Sequence, residues 1–447
     1  MCGVVGLFNS HKAAELTVIG LHGNQHRARE FAGIATTEGS NIYLETGRGL
    51  AREVFDDFDK LNRLHGRHAL GHVRYSTADR KADDKYRNNV QPICGYYGGR
   101  PFALAHNGNH YNIEELDRLL GAPRATTMDT EFIVRLLEKW HTGNLISDLK
   151  RVLGVLKGSY SLGILFPDCL VAVRDPSGNR PLSLGKFGKF GESWCISSET
   201  CGFSGLGAEH VRDIEAGEIL TINNERVSSW PFAKPRLQQC RFEGNYFSLP
   251  TSRTFGEDVD EYRLQLGRAL QDYCPTPGAD IVTPVPDSSN YIAMGYAESG
   301  KSGRWRPVIV RSHYGRSFIA ASQAERDETA SLKFSYSPHA IEGRSIVVVD
   351  DSIVRGTTLR KVIAEMRRYR PKEIHVRSGS PKIKYPCKYG IDTPDRSKLL
   401  AATHSKEQIC SELNADSVQF LPLDVQKELS TNAGKFCFAC MDGEYKI

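Results

Sequence analysis

A chain of 447 residues, 40% hydrophobic and 25% charged, is long enough for two or three domains of about 150 residues each and too apolar to be disordered. Its net charge of +5 is spread along the chain, and the cluster Arg367, Arg368 and Arg370 lies among apolar residues at helical spacing; this reads as a solvated helix face, so no nucleic-acid partner is expected, while a mildly basic balance suits a phosphorylated substrate. No apolar run reaches the ~18 residues of a membrane span, and the opening Met1-Cys2-Gly3-Val4-Val5-Gly6 carries no signal-peptide pattern, so no membrane partner, a cytoplasmic address and mostly reduced cysteines are expected.

From Cys2 to about Pro235 the chain is a series of short apolar runs (Gly3–Phe8, Pro101–Ala105, Tyr160–Phe166, Cys169–Val173) punctuated by Gly, Asn, Asp and Pro, with a helix over Asp129–Trp140; this predicts a sheet-rich domain. From about Gly256 apolar strands alternate with amphipathic helices. Asp280–Pro284, Pro307–Val310, Ser345–Val349 and Glu373–Arg377 read as buried strands, and Leu359, Val362, Ile363 and Met366 fall on one face of a helix. That alternation predicts a parallel α/β sheet. The boundary falls between 230 and 255, and after about 425 the chain is a short tail.

Cys2 follows a Met that its small side chain allows to be removed. The exposed residue would combine a thiol with an α-amine of pKa near ~7.7–8.0, a nucleophile and its base in one residue. Alone this is a weak signal. It is joined in order by Gly71-His72-Val73-Arg74-Tyr75-Ser76-Thr77, by Ala105-His106-Asn107-Gly108-Asn109 and by Asp129-Thr130-Glu131. Together these segments resemble the N-terminal-nucleophile glutaminase family, which implies an α+β domain of sandwiched β-sheets with Cys2 as nucleophile. The chemistry agrees with the residue types. Asn107 and the Gly108 N–H can stabilise the oxyanion formed on the glutamine carboxamide, Arg74 can clamp the substrate carboxylate, and Asp129 can pair with its ammonium. The loop His26-Arg27-Ala28-Arg29-Glu30-Phe31-Ala32-Gly33 departs from the family pattern: Ala28 replaces a glycine and Phe31 a small residue, so a different closure over glutamine is expected.

Ser345-Ile346-Val347-Val348-Val349-Asp350-Asp351-Ser352-Ile353-Val354-Arg355-Gly356-Thr357-Thr358 is a buried strand ending in two carboxylates, then a hydroxyl- and glycine-bearing turn, then a helix. Backbone N–H groups at the helix start, with Ser352, Thr357 and Thr358, make a phosphate site. Asp350 and Asp351 can accept from ribose hydroxyls with Mg²⁺ nearby. The motif resembles the type I phosphoribosyltransferase signature, in its amidophosphoribosyltransferase form. The resemblance implies a phosphoribosyl pyrophosphate (PRPP) site that includes Arg355 and Gly356, a pyrophosphate loop at Asp287 and Ser288, a lid carrying Arg316 in a segment one residue shorter than usual, and Mg²⁺ held by Ser288, Asp350 and Asp351. Ser331 stands where an arginine is expected, although Lys333 remains.

Eleven cysteines include Cys437-Phe438-Ala439-Cys440, Cys240 and Cys387. Four thiolates suit a [4Fe–4S] cluster or zinc, and spacing alone leaves both open. The resemblance, to the iron–sulfur-containing branch, implies a [4Fe–4S] cluster on these four, with zinc the lesser alternative. The domains expected are therefore 2–240 (glutaminase), 241–425 (phosphoribosyltransferase) and 426–447 (tail). The expected reaction is amination of PRPP with glutamine nitrogen, the entry to purine synthesis, by a homo-tetramer or dimer. Two other readings are a related amidotransferase acting on another phosphoribosyl substrate, and a PRPP sensor with a silent glutaminase.

Overall fold

The computed structural model describes residues 1–75, 89–189, 191–312, 334–393 and 395–447. The amino-terminal part is a sandwich of two antiparallel sheets. One sheet has seven strands in the order Glu209–Asp213, Ser183–Phe187, Ser193–Ser197, Gly3–Phe8, His68–Arg74, Phe31–Glu38, Asn41–Arg48. The other has six: Val227–Pro231, Glu218–Asn223, Cys169–Arg174, Gly158–Phe166, Arg100–His110, Ile93–Tyr97. Val4, Leu70, Ala103, Leu165 and Leu220 fill the space between them.

Both outer faces are also covered. Helix Ala13–Gly23 packs on the first sheet through Ala14 and Leu21, and helices Thr130–Lys139 and Leu145–Leu153 cover the second through Phe132, Leu136, Leu149 and Val152. Four layers explain why Gly3–Phe8 and Gly158–Phe166 are buried at every position and read as continuous apolar runs rather than as alternation. The sandwiched architecture expected for this part is what forms.

The second part holds a five-stranded parallel sheet in the order Arg304–Trp305, Ile281–Pro284, Ser345–Asp350, Glu373–Ser378, Ser417–Phe420. Helix Thr357–Arg368 follows the central strand and buries Leu359, Val362, Ile363 and Met366, the predicted face. Its core continues through Ile346, Val348, Ile374 and Val418, and the opposite sheet face is covered by helices Val259–Tyr273 and Asn290–Ala297. One expectation is corrected here. The apolar run Pro307–Val310 is not a strand of this sheet: Ile309–Arg311 pairs antiparallel with Phe334–Tyr336 in a separate ribbon, and Val310 is half exposed. An apolar pair flanked by Pro and Arg gave no way to tell edge ribbon from buried strand.

The tail does not hang free. Phe436–Cys437 pairs in parallel with Gln239–Cys240 at the junction of the two parts, and Phe436, Phe438 and Met441 share a small core with Met1, Cys240, Phe242 and Ile391. No helix among the described residues is long and apolar enough to cross a membrane.

Candidate functional site

Two cavities hold the residues singled out from the sequence. The first, about 240 Å³, is lined by Cys2, Arg74, Tyr75, His106, Asn107, Gly108, His110, Asp129 and, from the second part, Gly390. Neighbouring strands bring these groups together. Cys2 precedes strand Gly3–Phe8, Arg74 ends the adjacent strand, and Asn107 and Gly108 lie on the inner strand of the second sheet.

The Asn107 amide is oriented by its neighbour. Its Oδ1 accepts from the Cys2 N–H at 3.3 Å, which leaves Nδ2 buried without a partner and facing the cavity. A buried unpartnered donor beside a thiol is costly on its own, and becomes useful where an oxyanion develops. Gly108 tolerates no side chain, since a Cβ would lie 2.0 Å from the Ser159 carbonyl oxygen. Arg74 is almost fully buried at the cavity wall. Burial works to raise the Asp129 carboxyl, but His106, His110 and the backbone N–H groups of His110 and Thr130 outweigh it and hold it below its ordinary value, so Asp129 stands in the cavity wall as an anion.

The loop that departs from the family pattern sits close by without strain. Ala28 is in extended backbone at φ −157° and ψ 149°, a conformation open to any residue, so the missing glycine costs nothing here. Phe31 opens strand Phe31–Glu38 and pairs with Arg74. Arg27 is fully buried and donates to the Cys2 carbonyl at 2.8 Å, to Glu199 and to both carboxylate oxygens of Glu243 at 3.0 Å. Arg180 also reaches Glu243, at 3.1 Å, and the Tyr389 carbonyl. Glu199 in turn accepts from the Leu249 N–H and the Ser252 hydroxyl, both at 2.8 Å. This ionic network joins the two parts directly behind Cys2. The sequence shows Arg27 only as a member of this loop and gives no sign of Glu199, Glu243 or Arg180, because nothing local marks a buried pair whose members lie 172 or 216 positions apart.

The second cavity, about 340 Å³, is lined by Ser288, Arg311, Asp350, Asp351, Ser352, Arg355, Gly356, Thr357 and Thr358. Gly356 takes φ +69° at the start of helix Thr357–Arg368, the left-handed conformation that glycine adopts without penalty. Asp351 accepts from the Ser288 and Ser352 hydroxyls, and its burial pushes its carboxyl upward. Asp287 is exposed and pairs at 2.9 Å with Arg311, which lines the cavity. Phe242, Tyr246 and Phe247 add an aromatic part to the wall. Burial pushes the Tyr246 hydroxyl to about 12, with Asp351, Asp350 and, least of all, Tyr75 of the first cavity adding to the shift. Arg316, Ser331, Lys333, Ser76 and Thr77 lie outside the described residues.

The four cysteines gather at the junction. Cys240 faces Cys437 across the short parallel pair, the Cys440 carbonyl accepts from the N–H groups of Lys384 and Tyr385, and Cys387 packs on the same small core. Their sulfur atoms do not come within 4.8 Å of one another as a set, whereas one tetrahedral zinc needs sulfurs roughly 3.8 Å apart; a zinc site is not formed. Burial, reinforced by the other thiols, pushes Cys437 to about 12 and Cys440 well up. Among the described residues, two other groups do bring ligand atoms that close: His26, Glu199 and Cys201, and His106, His110 and Asp129.

A sandwich presenting a cysteine, an amide donor and an Arg–Asp pair in one cavity, joined to a parallel sheet whose central strand ends in paired carboxylates, defines a glutamine amidotransferase fused to a phosphoribosyltransferase. A glutamine amidotransferase domain model matches residues 72–204 and a phosphoribosyl transferase domain model matches residues 306–378. The chain is 38% identical to an amidophosphoribosyltransferase of Bacillus subtilis, over 99% of this chain and 94% of that protein. It is 39% identical to one of Methanothermobacter thermautotrophicus, again over 99% and 94%. The solved B. subtilis glutamine PRPP amidotransferase, complexed with ADP and GMP, superposes with a TM-score of 0.90 at 37% identity, covering 99% of this chain and 97% of that one. The chain belongs to the amidophosphoribosyltransferase family.

Proposed function

We propose that the chain transfers the amide nitrogen of glutamine to C1 of PRPP, giving phosphoribosylamine, glutamate and pyrophosphate, the first step of purine synthesis. The observation that carries this is the pairing of the two cavities in one chain, with Gly390 of the second part in the wall of the first. With Met1 attached, the Cys2 nitrogen is a peptide N–H; removing Met1, which is itself buried against the site, frees an α-amine able to take the thiol proton. The Cys2 sulfur then attacks the carboxamide carbon. The developing oxyanion is met by Asn107 Nδ2 and the Gly108 N–H, while Arg74 and Asp129 hold the two ends of the amino acid. Ammonia leaves, and water cleaves the resulting thioester to give glutamate.

In the second cavity the N–H groups that open helix Thr357–Arg368, with Ser352, Thr357 and Thr358, bind the 5′-phosphate. Asp350 and Asp351 accept from the ribose hydroxyls, Arg355 lies at the rim, and the loop at Asp287 and Ser288, with Arg316 of the lid, serves the pyrophosphate. Asp350, Asp351 and Ser288 offer the hard oxygen donors that Mg²⁺ takes beside substrate phosphates; the ion would neutralise the leaving pyrophosphate. Most ammonia is ammonium at neutral pH, so passing it past Tyr75 and Tyr246 between the cavities would keep it reactive.

The four cysteines fit a [4Fe–4S] cluster better than a single ion, because a cluster spreads its thiolates over four separate metals. Such a group would tie the tail to the junction at 240/241, the boundary that we place between domains 2–240 and 241–425, with 426–447 as the clamp. A homo-oligomer, dimer or tetramer, and a cytoplasmic location complete the reading.

The test is to supply glutamine and PRPP and assay glutamate, pyrophosphate and phosphoribosylamine together. Equal release of all three, dependent on PRPP, is expected. PRPP binding without glutamate release would favour a sensor, and a different aminated product would favour another pathway.

A further inference from the structure

Within the first cavity, Asp129 lies beside two histidines, His106 and His110, to which the amidotransferase reaction gives no role. His110 is buried, and neither of its ring nitrogens has a hydrogen-bond partner. Two unsatisfied nitrogens on one buried ring are unusual, and burial holds the imidazole neutral, with its pKa lowered to about 3. The ring stacks on His106, centroids 4.9 Å apart and planes 16° from parallel.

His106 has its tautomer set by its surroundings. Nε2 faces the Ser159 carbonyl at 3.4 Å, and a carbonyl only accepts, so the proton sits on Nε2 and Nδ1 presents a lone pair. That lone pair lies 3.7 Å from Asp129 Oδ1. Asp129 Oδ2 is occupied by the His110 N–H at 2.9 Å, which turns Oδ1 toward the two rings. The Thr130 hydroxyl, 3.2 Å from Nδ1, donates to this lone pair, so an ion that takes Nδ1 and Oδ1 together would displace that hydroxyl. A histidine whose distal N–H is held by a backbone carbonyl is also the usual setting of a metal-binding imidazole.

We propose that His106, His110 and Asp129 form a site for a divalent transition-metal ion of the Zn²⁺ class, and that the ion and the α-ammonium of glutamine exclude one another there. Their ligand atoms all lie within 4.8 Å of one another. A tetrahedral zinc with bonds of about 2.0–2.1 Å needs donors roughly 3.3 Å apart, so modest side-chain rotations close the set. Two imidazoles and one carboxylate select zinc-like ions over Mg²⁺ or Ca²⁺, which prefer oxygen alone, and the fourth position opens on the cavity. The site rests on the reading of Asp129 as the partner of the glutamine ammonium: both cations need the same carboxylate. Zinc then suppresses use of glutamine and spares use of free ammonium, which bypasses this cavity.

Co²⁺ is the probe, titrated into the full-length protein and into His110→Leu. An apolar side chain of similar size in place of a partnerless buried imidazole is well tolerated, and ammonium-dependent turnover of the variant reports that it is folded; His110→Gln serves as a second variant. The wild type is expected to bind one Co²⁺ through nitrogen and oxygen, seen as visible d–d bands without thiolate charge transfer. Both variants should bind at least about tenfold more weakly, while any thiolate-bound cobalt at the junction cysteines stays unchanged. Saturating glutamine should abolish the d–d bands in the wild type. Equal Co²⁺ affinity in wild type and variants overturns the site. Bands that persist at glutamine concentrations well above its KM overturn the competition, and with it the ammonium's place at Asp129, while the measured KM shows separately that glutamine still binds.

Discussion

Gly390 of the phosphoribosyltransferase part lies so close to Gly108 of the glutaminase part that a Cβ built on it would stand 3.0 Å from both the carbonyl carbon and the oxygen of Gly108. The contact is fixed on both sides. The Ser159 hydroxyl donates to the Tyr389 carbonyl at 2.6 Å, Asn109 Nδ2 donates to the Lys388 carbonyl at 3.0 Å, and Gly390 itself takes φ +103°. The segment that carries Cys387 therefore forms part of the wall around the proposed oxyanion donors, and the two half-reactions meet there.

Gly390→Ala should damage glutamine use selectively. The new methyl group meets backbone and the φ disfavours any side chain, so Gly108 must shift, and small misplacements at a reacting centre cost about 10²-fold. Steady-state kinetics with glutamine and with ammonium chloride will separate the effects: the first rate falls and the second stays within a few fold.

Asn107→Ala removes the side chain whose Nδ2 has no partner in the resting site. We expect kcat for glutamine hydrolysis to fall about 10²–10³-fold with little change in KM, because the donor is needed only once charge develops. A large KM effect with preserved kcat would instead make Asn107 a ground-state contact.

Cys387→Ser tests the junction. Anaerobically purified wild type should carry iron and acid-labile sulfide, and the variant should lack both. Because Cys387 leads into Tyr389 and Gly390, its loss should also reduce glutamine-dependent turnover more than ammonium-dependent turnover. Zinc in place of iron in the wild type would contradict the cluster.

Glu199 carries the acid sensitivity of the domain junction. Burial opposes its ionisation, but His26 and Arg27 hold its carboxyl far below the ordinary value. Its contribution is therefore complete above the unfolded-state pKa of about 4.3 and is lost as pH falls toward the depressed folded value. His72, held to about 3 chiefly by burial, adds a loss that begins below about 6.5, since the unfolded chain takes up that proton first. Denaturation midpoints should begin to fall below about pH 6.5, where His72 acts, and fall more steeply below about pH 4.3, where the Glu199 contribution is lost. Glu199→Gln, which leaves the buried Arg27 short of one partner, should cost about 3 kcal/mol at pH 7.

Much of this was legible in the sequence, for a physical reason in each case. Strand Ser345–Asp350 and its turn are contiguous in sequence, and the buried face Leu359, Val362, Ile363 and Met366 follows from helical periodicity alone. Cys2, Arg74, Asn107 and Asp129 were legible as types suited to a zwitterionic amide substrate. What was not legible depends on distant pairing. The Arg27–Glu243 contact, the seat of Gly390 on Gly108 and the return of Phe436–Cys437 to Gln239–Cys240 leave no local pattern. The backbone at Ala28 is extended and accepts any residue, which the loss of a glycine from the sequence pattern did not reveal, and His110 reads in sequence as one more strand residue.

The most direct measurement of the central claim, that the two cavities act as one enzyme, uses amide-¹⁵N glutamine with PRPP in a large excess of unlabelled ammonium. Phosphoribosylamine trapped from the wild type should carry ¹⁵N far above the level expected from mixing, and in Cys2→Ala it should carry none while the ammonium reaction continues. Label diluted to the bulk ratio in the wild type would mean that ammonia escapes to solvent, and the coupling of the sites through Tyr75 and Tyr246 would be wrong.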